Sequence, residues 1–357
     1  MKNLFLLIFA SLVLTACGSS NKGDTSKLSG AGATFPAPFY NIVFKKYSEI
    51  SGNNVTYGAV GSGGGIRNLK DRTVDFGATD VYLSDKELKQ IDAEVLHIPT
   101  ALGAVVLSYN LRSITNLRLT SELISDIYRG KITNWNDAKL KAVNPTLALP
   151  DKVITPVYRS DGSGTTHVLS EYMAKVNLAW KAEIGKGKSL KFPVGVAAKG
   201  NPGVAGIIAE TEGAIGYIGS EYALALNIAS ASLQNSAGNF IIANDKSISA
   251  SADMDMPDDT RTVITNSPNP EAYPISTFTW IIFYKEQSYN SRSEVHAKAL
   301  VGMLKHITGN EGQEVAVKTH YAALPKKTVA KTVAIIQSIT FEGHALVDLE
   351  NTNKNIQ

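Results

Sequence analysis

The sequence predicts a soluble α/β protein with a largely parallel sheet, divided into two lobes. Three observations carry this. Strand-like apolar runs alternate with segments of helical period, as in βαβ layering. The 357 residues are 44% hydrophobic and 19% charged, long enough for two lobes. Glycines with hydroxyl residues recur at the junctions where a strand would hand over to a helix.

The folded part is expected to begin at Leu28. "PAPFYNIVFKKYSEISG" sets Phe39, Val43, Phe44 and Tyr47 on one helical face, with Pro38 near its start and Gly52 as a stop. "NVTYGAV" reads as a strand, "GIRNLKDRT" as a helix and "VDFGATD" as a strand. Ser84–Glu87, "SDKE", is a capping-box pattern that starts a further helix. "GAVVLSYN" is a buried strand by its apolar run. "LTSELISDIYRG" then reads as a helix, "VITPVY" as a strand, and residues 165–175 as a helix. Residues 230–259 are polar and rich in small side chains, and are expected to be irregular or peripheral. "STFTWIIFYK" is a strong strand; Val295–His306, Gly312–Lys318 and "KTVAIIQSI" follow as helices, with a loose end.

The first residues have another purpose. Lys2 and the apolar run Leu4–Ala16 are too short to span a bilayer comfortably and read as a signal peptide over residues 1–16. The run ends in "LTAC", and Cys17 is the only cysteine, so no internal disulfide is available to it. This junction resembles a bacterial lipobox, which implies lipidation of Cys17 after cleavage. Residues 17–27 then form a polar tether, and the protein is expected outside the cytoplasm, lipid-anchored at the cell membrane.

Composition and motifs exclude several functions. A formal charge of +3 offers no polybasic surface for nucleic acid. The histidines are scattered without metal-ligand spacing. No complete G-x-x-x-x-G-K-[ST] or G-x-G-x-x-G is present; "GAGATF" ends in Phe35. "DMDMPDD" lacks the turn glycine of a calcium loop and puts Pro257 at a ligand position. No cofactor is expected.

Four segments share one design: "GAGATFP" (Gly30–Pro36), "GSGGG" (Gly61–Gly65), "FGATD" (Phe76–Asp80) and "YRSDGSGTT" (Tyr158–Thr166). Three of them set hydroxyls before a predicted helix: Thr34, Ser62, and Ser163 with Thr165. Helix N-termini expose unpaired N–H groups and a positive dipole end, glycine admits close backbone approach, and hydroxyls add donors. Each segment alone is an ordinary helix cap; together, with Arg159 embedded, they point to an oxyanion. Arg159 can bind an anion oxygen while pairing with Asp161. Asp80 has two readings. A carboxylate aimed at an anion is useful if that anion carries a proton, as phosphate does near neutral pH and sulfate does not. An acceptor left facing a bare oxygen costs about 1–3 kcal/mol, enough for tens- to hundreds-fold discrimination. Alternatively Asp80 caps the helix at Ser84 or pairs with Arg159.

At these residues the chain resembles the phosphate-binding proteins of the high-affinity phosphate ABC importer. The matching motifs are "GAGATFPAP", "GSGGG", "VDFGATD" with "LSD", "GKITNWND", "YRSDGSGTT", "GAIGY" and "LQNSAGNF", in order over most of the chain. The resemblance implies a two-lobed periplasmic-binding-protein-like fold (type II) with its ligand in the interlobe cleft. It implies lobes of residues 28–104 plus 273–357 and of residues 105–272. It implies phosphate contacts from Thr34, the backbone N–H of Phe35, Ser62 and Asp80, and from Arg159, Ser163, Gly164 and Thr165 on the other lobe, with Asp161 orienting Arg159. Transmembrane permease subunits would be partners of a monomeric receptor. One departure is Gly63, where many relatives have serine; another is the lipobox, which only some carry. Two rivals remain: a receptor for another oxyanion such as sulfate or molybdate, and a phosphatase using Ser163 with His167 as base. No G-x-S-x-G elbow surrounds Ser163, and His167 points away from the helix tip.

Overall fold

The structure, a computed structural model, describes residues 25–346. The expected leader, Cys17 and most of the tether lie outside the described residues.

The chain opens with β1 (Lys27–Gly32), α1 (Ala37–Ser51), β2 (Asn54–Ala59), α2 (Ser62–Lys70), β3 (Phe76–Thr79), α3 (Asp85–Leu88) and β4 (Val95–Tyr109). Helix α1 buries Phe39, Val43, Phe44 and Tyr47, and Gly52 ends it in the left-handed region at φ 75°. Ser84 and Glu87 form the capping box of the single-turn α3. The order continues with β5 (Arg118–Leu119), α4 (Ser121–Tyr128), α5 (Ala138–Val143), β6 (Thr155–Arg159), α6 (Gly164–Val176), α7 (Leu178–Glu183), β7 (Val196–Ala198), α8 (Gly200–Glu210), β8 (Ala214–Gly219), α9 (Ser220–Ala225), β9 (Ser232–Gln234), β10 (Phe240–Ile241) and α10 (Asp245–Ser251). It closes with β11 (Ser276–Tyr284), α11 (Glu294–Thr308), α12 (Asn310–Lys318), α13 (Lys326–Gln337) and a small terminal hairpin.

The main sheet runs β2-β1-β3-β11-β4-β8-β6-β7. It is mixed rather than largely parallel. The β1–β2, β1–β3, β6–β7 and β6–β8 pairs are parallel, but β11 runs antiparallel to β3 and β4, and β4 antiparallel to β8. Residues in β4 and β11 are buried on both faces, so their apolar runs carry no direction. Strand β4 is also longer than "GAVVLSYN" implied. It pairs with β11 up to Ala104 and with β8 from Val105, so one strand serves both lobes of the fold.

Two further expectations need correction. The fold begins before Leu28: β1 starts at Lys27, and Ser26 is buried with its N–H donating to Asn53 Oδ1. The stretch 230–259 is not wholly irregular, since β9, β10 and α10 lie in it, with Asn244 and Ser247 capping α10. Elements this short carry too few periods to be read.

One aromatic core holds Phe35, Phe39, Tyr40, Phe44 and Phe76, and another part holds Tyr128, Trp135, Trp180 and Tyr217. Each buried tryptophan donates its indole N–H to a backbone carbonyl: Trp135 to Gly213, Trp180 to Gly185, Trp280 to Thr260. The tip of α2 lies directly on the ends of β1 and β3. A Cβ on Gly65 would stand 2.6 Å from the Ala31 carbonyl oxygen and 2.8 Å from that of Ala78. Gly65→Ala is therefore expected to cost about 1–3 kcal/mol in urea unfolding. Gly206→Ala, inside α8 with nothing within 4 Å, is expected to be neutral or stabilising.

Candidate functional site

Thr34 and Phe35 sit between β1 and α1. The Phe35 ring is fully buried, edge-on to Tyr321 at 5.9 Å, and fills the space beside Gly103. The Phe35 carbonyl accepts from the Tyr321 hydroxyl at 2.6 Å. Ring and carbonyl are thus anchored inward, and the loop between them is fixed. Thr34 is buried, and its carbonyl accepts from the Tyr222 hydroxyl at 2.6 Å.

Ser62 is the first residue of α2 and is fully buried. Its hydroxyl accepts from the Asp80 N–H at 3.3 Å and faces Asp80 Oδ2 at 3.4 Å. Asp80 follows β3 and is 2% exposed. Its Oδ1 accepts from the Thr279 hydroxyl at 2.9 Å, and its carbonyl accepts from the Thr277 hydroxyl at 3.2 Å. Ser84, not Asp80, caps α3. Among the described residues Asp80 makes no ion pair, so neither the capping nor the pairing reading holds. Burial pushes its carboxyl up to about 7, against the opposing pull of the Thr279 bond, the Arg159 charge and the Ser62 bond.

Arg159 ends β6 with its side chain fully covered. Its Nε and Nη2 donate to the two Asp161 oxygens at 2.7 and 2.6 Å, and Nη1 donates to Thr165 Oγ1 at 3.2 Å. Asp161 Oδ1 also accepts from the Gly200 N–H at 3.0 Å. Burial pushes the Asp161 carboxyl up, but these bonds and the Arg159 charge outweigh it and hold it below its ordinary value. Ser163 caps α6, accepting from the Thr166 N–H at 3.0 Å, while its own N–H donates to the Lys188 carbonyl at 2.8 Å. The first N–H groups of α6, from Gly164 and Thr165, have no acceptor inside the helix. Gly164 abuts Ser62 and Asp80: a Cβ there would lie 2.4 Å from Ser62 Oγ and 2.5 Å from Asp80 Oδ2.

The structure therefore brings the residues expected to contact the anion to one place, from the ends of β1, β3 and β6 and the tips of α2 and α6, while Cys17 lies outside the described residues. Gly61, at φ 91°, leaves the space that the Asp161 carboxylate occupies, and the Gly63 N–H donates to the Gly162 carbonyl at 2.9 Å. Serine at position 63 would meet Gly162 at 3.3 Å, close but tolerable. Sequence reading missed Thr279, Thr277, Asn201, Tyr217 and Tyr222. Tyr217 accepts from the Arg159 N–H, and its hydroxyl bonds with that of Thr166. None of them stands in a glycine-hydroxyl segment. It also missed Glu221, whose buried carboxyl has no hydrogen-bond partner among the described residues and is pushed well above its ordinary value by burial. A cleft of about 440 Å³ runs beside Asp80, lined among others by His167, Lys188, Thr265 and Thr277. The His167 ring makes no hydrogen bond to Ser163 among the described residues, and burial with the Lys186 and Lys188 charges lowers it to about 4. The described residues hold no cluster of metal-ligating side chains and no helix long and apolar enough to cross a membrane.

A family model described as the PBP superfamily domain matches residues 19–302. The chain is 39% identical over 321 residues to the phosphate-binding protein PstS of Xylella fastidiosa, covering 88% of this chain and 86% of that one. The chain belongs to the PstS family of phosphate-binding proteins. Its identity to the PstS of Pasteurella multocida is 34% over 336 residues, 93% of this chain and 94% of the relative. To the PstS of Methanocaldococcus jannaschii it is 30% over 331 residues, 86% and 85% of the two chains. The relatives carry the names of binding proteins, not enzymes. Among solved structures, a high-affinity periplasmic phosphate-binding protein bound with phosphate superposes with a TM-score of 0.69 at 21% identity, covering 86% of this chain and 93% of that one. The phosphate-binding protein from Stenotrophomonas maltophilia superposes with a TM-score of 0.66 at 18% identity and the same coverage. At such identities the likeness is one of fold, and the PstS-family chain shares the two-lobed α/β architecture.

The Asp80 carboxyl titrates near 7 when folded and near the ordinary 3.8 when unfolded. Between these values the native state holds a proton that the unfolded chain has released. Its contribution to stability is thus present in full below about pH 4 and lost as pH rises to about 7. Thermal unfolding of ligand-free protein should show wild type losing stability relative to Asp80→Asn across that window, by on the order of a few kcal/mol. Parallel pH profiles for the two proteins would contradict the assignment.

Proposed function

We propose that this chain is an extracytoplasmic receptor that binds inorganic phosphate between its lobes and delivers it to the permease subunits of a phosphate ABC importer. The observation that carries the reading is a buried carboxyl, Asp80, with no ion pair among the described residues, set among donors from Thr34, Ser62, Arg159, Ser163 and the tip of α6. The names of the PstS relatives support the same ligand. The Phe35, Gly164 and Thr165 N–H groups complete the proposed contacts, and Asp161 orients Arg159.

The lobes are proposed along the expected division, residues 28–104 with 273–357 and residues 105–272, with Ser26 and Lys27 joined to the first because β1 starts there. The change of partner along β4 after Ala104 supports the first boundary. Polar bonds cross the cleft: Asn201 to Thr34, Tyr222 to Thr34, Gly63 to Gly162, and Lys188 to Glu87 at 2.6 Å. Closure strips water from the ion, so every donor counts for more. Release follows from reopening, a hinge motion. Lipidation of Cys17 would tether the monomeric receptor to the membrane. If so, Cys17→Ser should move the protein from the membrane fraction to the soluble one, as read by fractionation; an unchanged distribution would refute the anchor.

The rival oxyanions are separated by counting protons. Bound phosphate brings a proton for Asp80, whereas sulfate obliges Asp80 to bring its own. Sulfate affinity measured by calorimetry should therefore fall about tenfold per pH unit above pH 7, while Asp80→Asn binds sulfate without that slope. Wild type binding sulfate as tightly as phosphate at pH 8 would reject this role. Turnover of a chromogenic phosphate ester would instead revive the phosphatase reading, which Ser163 does not support because its hydroxyl caps α6 without a base beside it.

A further inference from the structure

Asn201 stands at the start of α8 and is fully buried. No sequence motif draws attention to it, yet it touches two of the proposed ligand residues, one from each lobe. Its backbone N–H donates to Thr34 Oγ1 at 3.1 Å. Its Nδ2 donates to the same oxygen at 3.0 Å and to Thr165 Oγ1 at 3.2 Å. Its Oδ1 accepts from the Gly219 N–H at 3.1 Å. That last bond fixes the orientation of the amide. A backbone N–H can only donate, so the oxygen must face Gly219 and the nitrogen must face the threonines.

The consequence falls on the two hydroxyls. A hydroxyl oxygen has two lone pairs and one proton. Thr34 Oγ1 receives both of its N–H bonds from Asn201. Thr165 Oγ1 receives one from Asn201 and one from Arg159 Nη1. Both oxygens have their acceptor capacity filled, and among the described residues neither hydroxyl donates its proton to another group. Each is left with a single free function, that of donor.

We propose that Asn201 is a positioning residue that presets the Thr34 and Thr165 hydroxyls as donors to the bound anion. The inference rests on the phosphate reading above and deepens it. By removing these hydroxyls as acceptors, Asn201 leaves Asp80 as the place where a ligand proton is received. The site then favours phosphate carrying one proton over phosphate carrying two. Because Thr34 and Asn201 lie on opposite sides of the cleft, the preset exists only in the closed arrangement.

The test is calorimetric titration of inorganic phosphate at pH 8 and pH 5.5, using wild type, Asn201→Ala, the Thr34→Val/Thr165→Val pair, and the triple variant. Asn201→Ala should weaken binding by about tenfold or more at pH 8 and distinctly less at pH 5.5, where the freed lone pairs can accept from a doubly protonated ion. In the valine background the same substitution should cost little more, because its effect passes through the hydroxyls. Asn201→Asp, nearly isosteric, guards against a folding failure of the alanine variant. It offers only acceptors, claims the hydroxyl protons, and should weaken binding further, again mainly in the presence of the threonines. Losses equal at both pH values, or undiminished in the valine background, would reduce Asn201 to a structural contact and overturn the inference while leaving phosphate binding intact. Wild type that fails to bind phosphate would overturn the underlying reading and this inference with it.

Discussion

A carboxyl held away from water with no cation against it is the constraint around which this molecule is arranged. Asp80 is 2% exposed, and among the described residues its carboxyl bonds only with the Thr279 and Ser62 hydroxyls. An isolated carboxylate in such a place is costly, so it either keeps a proton or awaits a partner that brings one. The nearby positive charge relieves it only in part. Arg159 spends two of its donors on Asp161, which neutralises much of the guanidinium. What remains for an anion is a set of N–H and O–H dipoles at helix tips rather than net charge. Such an arrangement selects by geometry rather than by net charge.

That geometry depends on backbones meeting closely. Gly61 makes room for the Asp161 carboxylate, Gly164 lies against Ser62 and Asp80, and Gly65 seats α2 on the ends of β1 and β3. The glycine-rich strings are therefore contact surfaces between distant segments as much as loops. Their lack of side chains brings the tips of α2 and α6, from distant parts of the chain, within reach of one small ion.

Strand β4 gives its first part to β11 and its last to β8, joining the two parts of the main sheet. Around the site the contacts between sequence-distant segments are polar: Thr34 with Asn201 and Tyr222, Gly63 with Gly162, Glu87 with Lys188. Each such bond contributes only about 0.5–1.5 kcal/mol net.

Much of this was legible in the residues. The helix over Phe39–Tyr47, the Ser84–Glu87 capping box and the strand "STFTWIIFYK" follow from local periodicity and short-range bonding, which any stretch of chain carries within itself. The residues Thr34, Ser62, Asp80, Arg159 and Ser163 could be singled out because helix tips, glycines and hydroxyls announce themselves in short segments. Strand direction could not, since β4 and β11 are apolar on both faces. Thr279 and Asn201 could not either, because each becomes significant only through a partner far away in the chain: Thr279 through Asp80, Asn201 through Thr34 and Thr165. The sequence by itself determined which local units form and which of them can face an anion. Tertiary structure alone decided the upward push on the Asp80 carboxyl and which N–H groups reach the Thr34 and Thr165 oxygens, because burial and long-range hydrogen bonds exist only once distant segments are packed together.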